Sequence, residues 1–540
     1  MRRWKLLPMT AVAAAALVVV AGCSGGSSNG ATGTGSKLTG GVGSGGVAAD
    51  LPKPAYDTTK VDPTVPVKFA WAILPTSLDP KGARDFSAFS LLYDTLFTIQ
   101  GNPAQLYPGI ATKYQLSSDR LTVTMPLRTD AKFASGTTVD SAAVKASLQY
   151  LRDASGSQVN GALTNIASID TPDATTVVLH LKAPGATLPF ALATGSGIVI
   201  DPAALADPSK LASTTASSLP YKVTSFDPGV KLVLDRTSTT TYWDPNAFKP
   251  NHIEITVVAD QTAVANGLLT GAFNLARLAT PSSTKTQLAK STTQYNYFSV
   301  STLSNRFILV NPNRPGLQDP AIRTAIAQAL DRSSIRNAIY PETCVDYSGY
   351  PIPKTSSFYD TAVLTDPLAY NVAAATSALA NFKQTVTIVV ALPDTVQVAQ
   401  VVQQQLAKVG VKADIVTEQT NQARADFLAG KFDMTITGFA GSPDPIMGMQ
   451  DVYGAQNPFP QQLQALTPLI NDAESKPLGS AERKTAVTKA LQESQKVGAV
   501  VPLCVTQQNF AATTNLAGLD QMGLNFASTY DLRYVAALKQ

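Results

Sequence analysis

TVTIVVALPDTVQVAQVVQQQLAKVGVKADI, residues 385–415, holds two strands and a helix in one run. Thr385 to Ala391 is a short block of mostly branched apolar residues, the pattern of a buried strand. Val398, Val402, Leu406 and Val409 then recur at helical spacing, and Gly410 supplies the residue that most readily closes a helix. Val411, Ala413 and Ile415 alternate, as a half-buried strand requires. Strand, helix and strand with short joins form a crossover unit, so this part of the chain should hold parallel strands covered by helices.

The same alternation extends outward. Downstream, a helix near Ala423 to Ala429 stops at Gly430 and feeds a strand from Asp433 to Gly438. Upstream, Asp319 caps a helix with Pro320 at its first position, and Ile322, Ile326 and Leu330 share one stripe. Further back, Leu121, Val123, Met125 and Leu127 fall on one face of a strand, where Pro126 points to an edge or a bulge. Asp140 can cap a helix carrying Val144, Leu148 and Leu151. Val177, Leu179 and Leu181 alternate again, with His180 on the opposite face. The body is α/β with mixed sheets.

The amino-terminal end reads differently. Arg2, Arg3 and Lys5 precede an apolar run from Met9 to Ala21, too short to span a bilayer and suited to a signal sequence. Val20-Ala21-Gly22-Cys23 looks like a bacterial lipobox, which makes Cys23 the expected lipidation site and a lipid the expected membrane anchor. From Ser24 to about Lys60 the chain is mostly Gly, Ser, Thr and Ala, the composition of a flexible tether. Within it, Gly26-Ser27-Ser28-Asn29-Gly30 matches a hydrolase pattern and Gly30 to Lys37 brushes a phosphate-loop pattern. Neither lies between a strand and a helix, so both are set aside.

Removing Arg2, Arg3 and Lys5 from the 42 basic residues leaves 39 against 38 acidic ones. Near-neutrality argues against a nucleic-acid partner, which needs a concentrated basic face. The length beyond the tether calls for two or more lobes. Beyond Cys23 only Cys344 and Cys504 remain of three cysteines. Outside the cytoplasm such a pair is a disulfide candidate; two buried thiols are the alternative, which spacing does not decide.

Five segments, in order over more than 300 residues, resemble the family 5 extracellular solute-binding proteins, the oligopeptide- and dipeptide-binding group of ABC importers. The first is Ala111-Thr112-Lys113-Tyr114 through Ser118-Asp119, Leu121 to Arg128, Lys132-Phe133, Ser135-Gly136-Thr137 and Val144. Pro220-Tyr221-Lys222-Val223, Pro228-Gly229 and Tyr242-Trp243 form the second. Asn311 to Pro315, Asp319, Ile322-Arg323, Ala325-Ile326 and Ala329-Leu330-Asp331-Arg332 form the third. Leu406, Val409-Gly410-Val411 and Gly430-Lys431-Phe432-Asp433 continue the series, and Asp444-Pro445 closes it. The resemblance begins near Leu78-Asp79-Pro80.

The resemblance implies a two-lobed fold of the type II periplasmic-binding-protein kind, with an extra subdomain in the first lobe and a cleft between lobes. On that basis 1–23 is the lipoprotein signal and 24–60 the tether. The first-lobe core takes 61–105, 218–308 and 506–540, the extra subdomain 106–217, and the second lobe 309–505. It also implies capture of a solute, with a peptide foremost, for delivery to ABC permease subunits. The expected protein is a cofactor-free and metal-free monomer at the outer face of the bacterial cytoplasmic membrane. A non-peptide solute such as a sugar, or a ligand-sensing lipoprotein, remains open.

Peptide binders of the family take the ligand's amine on an acid shortly before the position of Asp444-Pro445. Here Ser442 stands at that place, in Gly441-Ser442-Pro443-Asp444; Asp444 is the candidate substitute, though the resemblance more often puts that residue in a structural turn, and free-amine recognition is open. Phe439 is a candidate aromatic wall. Asn305, Arg306 and Phe307 precede the family's Asn311 strand, where ligand contacts fall, and the planar fork of Arg306 suits a carboxylate. His180 and His252 are the only histidines; neither has a Cys or acid at metal-ligand spacing, and the chain reads as a binder and not an enzyme.

Overall fold

The computed structural model describes residues 46–539, apart from 52, 84–85, 101–104, 214–218, 238–241, 346–365, 440–443, 454–459 and 523–529. The expected signal run Met9–Ala21, the expected lipidation site Cys23 and two candidate ligand residues, Gly441 and Ser442, lie outside the described residues.

Residues 385–415 fold as their periodicity requires. Strand Val386–Val390 is followed by helix Pro393–Lys408 and strand Ala413–Thr417, and the two strands pair in parallel. Val398, Val402 and Leu406 are fully buried, each stabilising the fold by about 1.5–3 kcal/mol. Gly410, at φ +82°, takes the left-handed turn after the helix, a conformation that strains any residue with a Cβ. Strand Met434–Phe439 then pairs in parallel on the other side of Val386–Val390.

These three strands form one end of a continuous sheet. Its path runs Ala413–Thr417, Val386–Val390, Met434–Phe439, Tyr295–Val310, Val500–Thr513, Leu275–Leu278, Val67–Trp71, His252–Val257, Lys231–Arg236 and Tyr221–Asp227. Two members are unusually long, and both serve hydrophobic cores in both halves of the sheet. The amino-terminal half of Tyr295–Val310 pairs with the carboxyl-terminal half of Val500–Thr513 beside one core, built on Phe69, Trp71, Leu234 and Phe510. The other halves pair beside cores built on Ile308, Ile388 and Val402 and on Phe307, Val389 and Leu491. Each half of the sheet is therefore a lobe, and the two long strands are the crossing. Their register breaks between Ser301 and Asn305, where the Thr302 hydroxyl donates to Thr506 O at 2.8 Å and meets the Thr506 hydroxyl at 2.6 Å.

A separate four-stranded sheet in the first lobe runs Gln115–Leu116, Thr122–Pro126, Thr176–Leu181 and Ile166–Asp173. Pro126 lies inside this sheet and not on its edge. It is the last residue of its strand, opposite Thr176, beyond the point where the two-residue neighbour Gln115–Leu116 has ended. Asp140 caps the adjoining helix Ser141–Asp153 through a 2.8 Å bond from Ala143 N. The chain packs earlier than a tether reaching Lys60 would allow: Val47 and Ala48 are buried, and Ala48 N donates to Leu106 O at 2.8 Å.

The lobes touch away from the crossing. Thr187, in the first lobe, donates from its backbone N and its hydroxyl to the two carboxylate oxygens of Glu474 in helix Pro460–Glu474, at 3.1 and 2.7 Å. Leu478 packs against the first-lobe core. Burial pushes the Glu474 carboxyl above its ordinary range and the nearby Asp444 adds to this, while Arg483 and the Thr187 bonds pull it back. Tyr114 faces the same carboxylate.

Cys344 and Cys504 are joined in a disulfide, with Cα atoms 5.6 Å apart and a sequence separation of 160. It fastens the short strand Cys344–Val345 to the second-lobe half of Val500–Thr513. Closing so long a loop restricts the unfolded chain, so replacing both cysteines by serine should lower the unfolding free energy by about 2–5 kcal/mol in a urea titration. A second prediction concerns Glu474. A raised folded pKa means the native state holds a proton that the unfolded state has released, so stability falls as pH rises through that window. Glu474→Gln removes this dependence. The variant should gain melting temperature relative to wild type as pH rises from about 4.5 to 7, and a difference that stays flat across that range would refute the assignment.

Candidate functional site

Strand direction locates the site. Leu275–Leu278 is antiparallel to Val500–Thr513, with Leu275 opposite Ala512 and Leu278 opposite Asn509, so it runs toward the second lobe. Val67–Trp71 runs parallel to it. From the other side, Met434–Phe439 is antiparallel to Tyr295–Val310, with Phe439 opposite Asn305, and runs toward the first lobe. Val386–Val390 is parallel to that strand. The carboxyl edges of both lobes' parallel strands thus face one another across the crossing. Open α/β sheets hold their ligands outside such edges.

Asn305 and Phe439 meet at this place as opposed strand residues, and Asn305 is buried. Arg306 lies beside them with its guanidinium already engaged. It is 3.7 Å from the Asp394 carboxylate and 5.9 Å from the centre of the Tyr340 ring, and the Tyr340 hydroxyl donates to Asp394 at 3.0 Å. Tyr340 and Asp394 belong to the second lobe, and Arg306 reaches them from the long strand on which the two lobes meet.

Phe307 is packed in a second-lobe core with Leu309, Val389 and Phe427. Alternation from Asn305 predicts this, since a strand residue two places on shares the face but lies deeper under the covering helices. Asp444 is equally enclosed. One carboxylate oxygen accepts from Ile446 N at 2.9 Å, at the start of helix Pro445–Tyr453. The other accepts from Arg483 at 2.8 Å, with both side chains fully buried. That arrangement matches a structural turn: a solute amine would have to displace Arg483 and leave it buried and unpaired, at several kcal/mol.

Several residues of the facing edges were not picked out from the sequence. Trp71 ends one first-lobe strand, and Ile73, two residues beyond it, is 55% exposed. Leu392, two residues beyond strand Val386–Val390, is 43% exposed. A large apolar side chain thus stands in water just beyond the carboxyl end of a strand in each lobe. Arg277 shares a sheet face with Trp71 and Phe510, and its Nε donates to the Gln508 side-chain oxygen. Period two carried the signal: Leu275 is core, so Arg277 had to lie on the same face. The histidines sit elsewhere, each on one aspartate, His180 with Asp170 at 2.9 Å and His252 with Asp235 at 2.7 Å.

Comparison with known proteins agrees with this geometry. Residues 105–459, more than half of the chain, match the family of bacterial extracellular solute-binding proteins, family 5 (middle region). The glutathione-binding protein GsiB of Escherichia coli K12 is 26% identical over 470 residues, covering 82% of this chain and 89% of its own. NikA from Brucella suis, solved with Fe(III)-EDTA, superposes with a TM-score of 0.75 at 20% identity, over 88% of this chain and 100% of NikA. DppA from Helicobacter pylori, solved with the peptide STSA, gives 0.73 at 20% identity, over 89% and 99%. The two-lobed α/β fold, the facing strand edges and the match over residues 105–459 together make this chain a member of the family 5 bacterial extracellular solute-binding proteins.

Proposed function

We propose that this chain captures a small solute, with a peptide foremost, between its lobes and hands it to the permease of an ABC importer. The observation that carries the reading is the opposition of two carboxyl edges across a crossing of only two strands. A solute touching both edges favours the closed arrangement by the difference in its affinity for the two forms. We assign the first-lobe core to 61–105, 218–308 and 506–540, the extra subdomain to 106–217, and the second lobe to 309–505. Asn305, Arg306, Phe439, Gly441 and Ser442 are the residues we place at the solute. The lipobox Val20-Ala21-Gly22-Cys23 supports a lipid anchor on Cys23 that holds the protein at the outer face of the cytoplasmic membrane. The relatives are solute-binding proteins, and we assign this chain no reaction.

Glutathione, a peptide and Fe(III)-EDTA, the compounds named for the three relatives, share carboxylates more than any one backbone. A second reading, a blocked peptide or a non-peptide solute, is favoured by the burial of Asp444 against Arg483, which leaves that acid unavailable to an amine. The test is native mass spectrometry on the protein lacking residues 1–23, unfolded and refolded to release any carried ligand, against peptide and sugar libraries. Defined peptide adducts with a matching rise in melting temperature are the expected result. Adducts with sugars alone would remove the peptide assignment, and no adduct from either library would remove solute capture.

A further inference from the structure

Arg277 is a cation in a place built for one and left without a counter-charge. It lies on strand Leu275–Leu278, opposite Phe510, on the sheet face that carries Trp71 and Phe510. Its guanidinium carbon is 5.9 Å from the centre of the Trp71 ring, and its Nε reaches Gln508, two residues nearer the second lobe than Phe510. The side chain therefore leans along the sheet toward the crossing. Among the described residues no carboxylate lies within ion-pair distance of it, and burial alone holds its pKa below the ordinary value. Beside it the indole Nε1 of Trp71, a residue only 4% exposed, has no hydrogen-bond partner among the described residues.

Desolvating a guanidinium without a partner opposes folding, as does burying an unpaired indole N–H. Two such groups side by side make a donor set for one kind of guest. A carboxylate takes two parallel bonds from the fork of an arginine and has lone pairs left for a third donor. Arg306 does not offer this, because Asp394 already faces it. We propose that Arg277, with Trp71 and Gln508 beside it, anchors a carboxylate of the bound solute, so that the protein selects solutes carrying a free carboxylate. The proposal rests on the solute-capture reading above and narrows its substrate class.

The test uses two pools, di- to pentapeptides and dicarboxylic acids as free acids, and the same compounds as their amides. Binding to the chain lacking residues 1–23 is read by native mass spectrometry and then by titration of each hit. Wild type should prefer an acid over its amide by at least about 30-fold. Arg277→Gln should reduce that preference to within about threefold. Arg277→Gln, relieved of an unpaired cation, should also melt no lower than wild type without ligand, which separates loss of recognition from loss of fold. Equal binding of acid and amide by wild type overturns the anchor and leaves solute capture standing. Retention of the acid preference by Arg277→Gln overturns it as well, and its loss in Arg306→Gln alone hands the role to Arg306. No binding from either pool overturns both the anchor and the capture reading.

Discussion

Both lobes hang from one antiparallel ladder, between Tyr295–Val310 and Val500–Thr513. Each strand belongs to cores in both halves of the sheet, so neither lobe can form its sheet without strands that also belong to the other. The ladder fixes the directions of the strands beside it, and those directions bring the carboxyl edges face to face. Where the register breaks, Thr302 and Thr506 bond to each other and to the backbone in place of the regular ladder. Few residues carry the interruption, and domain closure needs only a few to absorb the rotation.

The cleft shows the usual tension between stability and binding. Cores on either side are closed and apolar, and some of their buried charges are paired, Arg483 with Asp444 and Arg533 near Asp531 with a 3.0 Å bond to the Tyr242 hydroxyl, which itself donates to Asp94, while buried Arg323 is held by the carbonyls of Leu317, Gln318 and Val497. Between the edges the rule is relaxed. Ile73 and Leu392 stand in water, Trp71 keeps an idle donor and Arg277 an uncompensated charge.

Local patterns were legible and long-range pairings were not. The crossover at 385–415, the caps at Asp140 and Asp319 and the alternation at Val123 and Met125 follow from spacing alone, because period and capping act within a few residues. The candidates Asn305 and Phe439 were named separately from family position, and the sheet sets them opposite one another. Asp444 could not be read as enclosed, since its partner Arg483 lies far along the chain. Val47 and Ala48 looked like tether because two small apolar residues have no period, yet they dock on Leu106. A lone arginine in a short strand reads as a solvated residue until its neighbours on the next strands are known.

The described chain begins and finishes on the same lobe. Val61 bridges to Leu538, Asp62 N donates to Ala537 O and Lys539 N to Lys60 O, at 2.9 and 2.8 Å. The second lobe is thus an excursion that leaves and returns through the ladder. A pull from upstream of Gly46 meets first the contacts of Val47 and Ala48 with Leu106 and only then the seam at Val61 and Leu538. The load enters the first-lobe core through Val47, well before the chain reaches the ladder that leads to the second lobe.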